Sequence, residues 1–103
     1  MRQRDFDFAD AEFDLADRRA TIRGECDLCN ARDIERWLSS FGDAPIDVDL
    51  SGVTFFGASA LRALIAVASY NSHLRIVDAS PVVRRVIDLT ESRNYFATDD
   101  AAQ

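Results

Sequence analysis

A chain of 103 residues that is 48% apolar is long enough for one domain with a modest core and too apolar to remain disordered. Its formal charge of -6, with arginine at all 12 basic positions, argues against a general nucleic-acid binder, which needs a basic patch, and against an anionic membrane surface. No apolar run approaches the roughly 20 residues that span a bilayer, and the start Met1-Arg2-Gln3-Arg4-Asp5 has no signal-peptide core, so the expected setting is the cytoplasm and the expected partner a protein.

In chain order, Asp and Phe alternate in Asp5-Phe6-Asp7-Phe8, so residues 1–11 read either as an edge strand or as a loosely held arm. Phe13 and Leu15 flank Asp14, and beyond the turn Asp17-Arg18-Arg19 the residues Ala20 and Ile22 alternate with Thr21 and Arg23. That pattern predicts a β-hairpin, closed by Gly24-Glu25-Cys26-Asp27. Asp27 is placed to N-cap a helix whose apolar face is Leu28, Ala31, Ile34, Leu38 and Phe41, bordered by Trp37 and stopped by Gly42.

Ile46, Val48 and Leu50 then alternate with Asp47 and Asp49, the signature of a strand with one buried face. At the end of this strand Phe55 is expected to point into the core and Phe56 the other way, either as a binding anchor or under the adjoining helix. From Leu61 the period becomes helical, with Leu64, Ile65 and Ala68 on the same face as far as about Tyr70. Ser59 lies at the junction, near the first helical turn. It is either an N-cap or the seat of an anion, because a helix N-terminus presents free N–H groups and partial positive charge.

Residues 74–78 read as a further strand, and Ser80-Pro81 is an N-cap followed by proline at the first helical position. Val82, Val83, Val86 and Ile87, with Leu89 as a further candidate, form one face of that helix; Arg84, Arg85 and Asp88 form the other. Tyr95 and Phe96 should tuck back, and residues 97–103 should be loose. The predicted order is β-β-α-β-α-β-α: one α/β domain over residues 1–103, core about 13–96, with a mixed, mostly parallel sheet behind an N-terminal hairpin.

Little of this is catalytic. His73 is the only histidine, so no Ser-His-acid triad and no metal-ligand set can be assembled, and no glycine-rich phosphate loop is present. Asp47 and Asp49 share a strand face and read as solvated residues. Cys26-x-x-Cys29 is either a pair of small buried side chains or a dithiol at a strand-to-helix junction. A thioredoxin-like site would add a proline facing the dithiol, and neither Pro45 nor Pro81 is placed for that. No enzyme, cofactor or metal is expected.

Three segments resemble one family in register. Gly24-Glu25-Cys26-Asp27-Leu28 is similar to the Gly-Glu-Leu-Asp-Leu segment of STAS domains, the fold of bacterial anti-sigma factor antagonists. Asp49-Leu50-Ser51-Gly52-Val53-Thr54-Phe55 resembles that family's Asp-Leu-Ser-x-Val-x-Phe strand, and residues 74–90 resemble its last strand and helix. The resemblance implies a binding module that engages an anti-sigma factor of the serine-kinase type and frees a sigma factor. That kinase would phosphorylate a serine which a phosphatase later restores. The family junction Asp-Ser-Ser-Gly-Leu stands here as Gly57-Ala58-Ser59-Ala60-Leu61, so Ser59 matches the acceptor. The implied partner surface is Phe56, Gly57, Ala58, Ser59 and Arg62. Gly57 removes an acid, and Ala60 adds a methyl group at a position where a partner could approach. Two alternatives stay open: a STAS-like module that binds another protein without switching, and a dithiol oxidoreductase using Cys26 and Cys29.

Overall fold

The computed structural model describes residues 2–97, and the loose tail expected at 98–103 lies outside the described residues. Five strands form one sheet in the order β1-β2-β3-β4-β5: β1 (Arg2–Phe6), β2 (Ala9–Asp14), β3 (Arg19–Cys26), β4 (Ile46–Phe56) and β5 (Leu74–Ala79). Three helices, α1 (Ala31–Ser39), α2 (Ala58–Tyr70) and α3 (Pro81–Leu89), follow β3, β4 and β5 in turn.

β1 and β2 pair antiparallel, as do β2 and β3, whereas β3–β4 and β4–β5 are parallel. The sheet is therefore evenly mixed rather than mostly parallel. The difference is β1, which makes the order β-β-β-α-β-α-β-α. Phe6 anchors it: the ring meets Trp37 of α1 edge-on at 6.2 Å, Trp37 meets Phe41 at 5.0 Å, and Phe41 stacks on Phe13 at 3.8 Å. At the other end Ala97 donates to the Leu74 carbonyl at 2.9 Å, so residue 97 is tied to the edge of β5.

The β-α-β crossovers put α1 and α2 where they contact each other, and α3 packs on β4. The core lies between the sheet and these helices: Phe13, Ile22, Val48, Leu50, Leu64, Val67, Leu74 and Val83 are all at most 2% exposed. The alternate strand positions carry charge, and they are neutralised in rows. Arg19 reaches Asp49 at 2.7 Å, Arg75 reaches Asp47 at 3.1 Å, and Arg23 reaches Asp10 and Glu12 at 3.0 and 3.1 Å. Asp47 and Asp49 are thus each paired with an arginine.

Both expected helix caps change. α1 begins at Ala31 with Asn30 at the capping position, so Asp27 is no cap; it opens a turn whose carbonyl accepts from the amides of Asn30 and Ala31. Leu28 in that turn is 79% exposed instead of joining the helix face. Ser80 does occupy the N-cap position of α3, with Pro81 first in the helix, but its buried hydroxyl caps nothing and has no hydrogen-bond partner among the described residues. Of the closing aromatics Phe96 is buried and Tyr95 is exposed.

Candidate functional site

The sheet is uneven at the carboxyl ends of its parallel strands. Pairing of β4 with β5 ends at Leu50 and Ala79, so residues 51–56 run on beside β3 alone. They deliver Gly57, whose amide donates to the Cys26 carbonyl at 2.9 Å. Gly57 caps α2 in an extended conformation, and its carbonyl accepts the amides of Ala60 and Leu61, both at 3.1 Å. The amides of Ala58 and Ser59, in the first turn, have no intrahelical acceptor, and no acid stands in that turn.

Ser59 is the second residue of this helix and half-buried, so it is not the N-cap that one sequence reading allowed. Ala58 and Arg62 are exposed, with Arg62 one turn along from Ser59. Ala60 is 3% exposed, so its methyl group is buried in the core rather than at a surface.

The two phenylalanines are reversed relative to the expectation. Phe56 is 4% exposed and belongs to the core, while Phe55 is 47% exposed. Counted from Ile46, Val48 and Leu50, position 56 is an inward one, and the two register shifts against β3 cancel by the time the strand reaches it. Residues 49 to 52 of β4 span what residues 21 to 23 cover, and residues 53 to 55 span what 24 to 25 cover. Each extra residue flips the phase of the strand. Buried positions therefore fall at Leu50, Val53 and Phe56, three apart, and that spacing is the visible trace of the bulges in the sequence.

Phe55 joins Phe8, Glu25, Asp27 and Cys29 around a cleft of about 310 Å³ beside Gly57. A Cβ placed on Gly57 would lie 2.2 Å from Asp27 Oδ1 and 3.4 Å from Phe55 Cε2, so the Asp27 carboxylate occupies the space of a side chain at position 57. Phe8 is 71% exposed and sits in the β1–β2 turn with a left-handed φ of 65°. Two contacts fix that turn: the Glu25 amide donates to the Phe8 carbonyl at 2.8 Å, and Asn30 Nδ2 donates to the Asp7 carbonyl at 2.6 Å. Asn30 also donates to the Glu25 carbonyl at 2.8 Å and accepts from the Asp27 amide at 3.0 Å. This one buried side chain ties the β1–β2 turn to the loop after β3. Sequence reasoning missed Phe8 and Asn30, since no glycine marks the left-handed residue and nothing local sets Asn30 apart.

The cysteines are unlike each other. Cys29 is exposed in the cleft, whereas Cys26 is 2% exposed, and burial, with help from the neighbouring Cys29, pushes its thiol up to about 11. A reactive dithiol needs the opposite shift, toward thiolate.

No helix among the described residues is long and apolar enough to cross a membrane, and no cluster of potential metal ligands occurs among them. The family model for the STAS domain matches residues 18–102. Among solved structures the chain is similar to an anti-sigma factor antagonist from Mycobacterium paratuberculosis, with a TM-score of 0.72 and 26% sequence identity over 85% of this chain and 82% of that one. No curated protein matches the chain.

Proposed function

The chain belongs to the STAS domain family, and from that premise we propose that it is an anti-sigma factor antagonist, a cytoplasmic regulator without catalysis of its own. It binds an anti-sigma factor of the serine-kinase type through the surface at the start of α2 and so frees a sigma factor. Phosphorylation of Ser59 releases the partner, and a phosphatase restores binding.

The observation that carries the reading is the position of Ser59: half-buried, in the first turn of α2, between exposed Ala58 and exposed Arg62. Phosphorylation there adds roughly two negative charges at the positive end of a helix, where unbonded amides and Arg62 favour them. At a protein interface the same group opposes docking through its desolvation and its repulsion of acids. Two departures from the family junction are also softened. Asp27 returns a carboxylate to the place where Gly57 lacks one, and the added methyl of Ala60 is buried in the core.

One observation favours a second reading, a module that binds its partner without switching. Asp27 has no hydrogen-bond or ion-pair partner for its carboxylate among the described residues, and it competes with a phosphate for the same helix end. Incubation with a serine-kinase-type anti-sigma factor and ATP, followed by intact mass measurement, separates the two. A gain of one phosphate that is absent in Ser59→Ala supports the switch; a stable complex with no gain supports the second reading.

A further inference from the structure

The cleft between Phe8 and Phe55 combines two features that seldom share one surface. Its walls are exposed aromatic rings, 71% and 47% accessible, and it is lined by the carboxylates of Glu25 and Asp27. Every arginine–carboxylate pair of the described residues lies elsewhere, on the open sheet face or around α3, so neither Glu25 nor Asp27 has a cation of its own. The chain as a whole carries a net charge of -6, which repels acidic segments and draws basic ones.

Apolar rings and unpaired carboxylates together select a flat cation. A guanidinium stacks on a phenylalanine face while donating from its edge to carboxylate oxygens, and an ammonium does only the second well. We propose that this cleft takes an arginine side chain of the partner protein. The inference deepens the reading above, because it rests on this end of the domain being the partner-binding surface. Phe55 lies against Gly57, the cap of α2, so an arginine seated in the cleft brings its own backbone beside the first turn that holds Ser59. The Asn30 contacts hold Phe8 in place before any partner arrives, which lowers the ordering cost of binding.

The test needs neither kinase nor phosphate. The isotope-labelled full chain is titrated, at low salt, with the peptide acetyl-Leu-Arg-Leu-amide and with its citrulline counterpart, which keeps the shape and loses the charge. Saturable amide shifts are expected at Phe8, Glu25, Asp27 and Cys29, with the citrulline peptide about tenfold weaker. The preference should vanish in the Glu25→Gln/Asp27→Asn double variant, whose spectral dispersion reports whether it has folded. Equal binding of both peptides overturns the inference, as do shifts confined to another surface. So do shifts at these amides produced by concentrating the chain alone, which would make a second copy the occupant. A chain that binds the arginine peptide but takes up no phosphate at Ser59 retains this inference and loses the switch; the reverse pattern loses only the arginine site.

Discussion

The backbone at Gly57 is extended, with φ -84° and ψ 172°, so any residue could adopt it. What position 57 lacks is space, because the Asp27 carboxylate already fills it. Gly57→Ala should therefore destabilise the fold by about 1 kcal/mol, the low end for overpacking, since a carboxylate can swing toward solvent. In an Asp27→Ala background the same substitution should be close to neutral. Denaturant melts of the four proteins check this, and equal effects in both backgrounds would show that the two side chains do not share the site. The pairing also explains how a junction without its expected acid retains one nearby. The carboxylate comes from the loop after β3, thirty residues earlier, a substitution that no local pattern around Ser59 could disclose.

For single elements, legibility tracked how far a pattern stays local. The strand of Ile46, Val48 and Leu50, the helix from Leu61 and the Ser80-Pro81 start were readable because each rests on neighbours along the chain. β1 was left ambiguous because its reason for order is distant: Phe6 against Trp37. At the end of β4 two bulges against β3 bring Val53 inward between Leu50 and Phe56, so alternation read from Val53 alone puts Phe55 inside, whereas alternation from Ile46 puts Phe56 there. Asp27 looked like a cap from its place before an apolar run, but the turn that Asn30 stabilises delays the helix to Ala31. The corrected phase has a direct consequence. Phe56→Ala should cost about 3–5 kcal/mol of stability, and Phe55→Ala should change stability by about 0.5 kcal/mol or less while weakening the partner complex. Thermal or denaturant melts of both variants check the first half of this, and the reverse ranking would place Phe55 in the core and Phe56 outside it.

Across the whole molecule, labour divides between the two faces of the sheet. One face buries the core under three helices, and the other carries rows of arginine–carboxylate pairs, leaving the strand ends for binding. Asp49 is the most enclosed carboxylate of those rows, at 9% exposure. Burial alone would raise its carboxyl, but hydrogen bonds from Arg19 and Ser51 and the charge of Arg19 outweigh it and hold the group below its ordinary value. A lowered folded-state value stabilises the fold above the ordinary carboxylate range, and that contribution fades as pH falls through the lowered value. Asp49→Asn should thus cost about 1 kcal/mol near neutrality, the Arg19 side being well exposed. The gap from the parent chain should close below about pH 4 in acid titrations of stability; a gap that persists unchanged would assign the loss to packing instead. The fold and the position of Ser59 were thus legible from sequence, and the cleft beside it was not, because it is assembled from the β1–β2 turn, the loop after β3 and the end of β4. The most direct test of the central claim is calorimetric titration of the chain into a purified serine-kinase-type anti-sigma factor. The prediction is a saturable complex that Ser59→Asp weakens at least about tenfold and that Arg85→Ala, on the exposed side of α3, leaves unchanged. A complex that is indifferent to Ser59→Asp, or no complex at all, would contradict it.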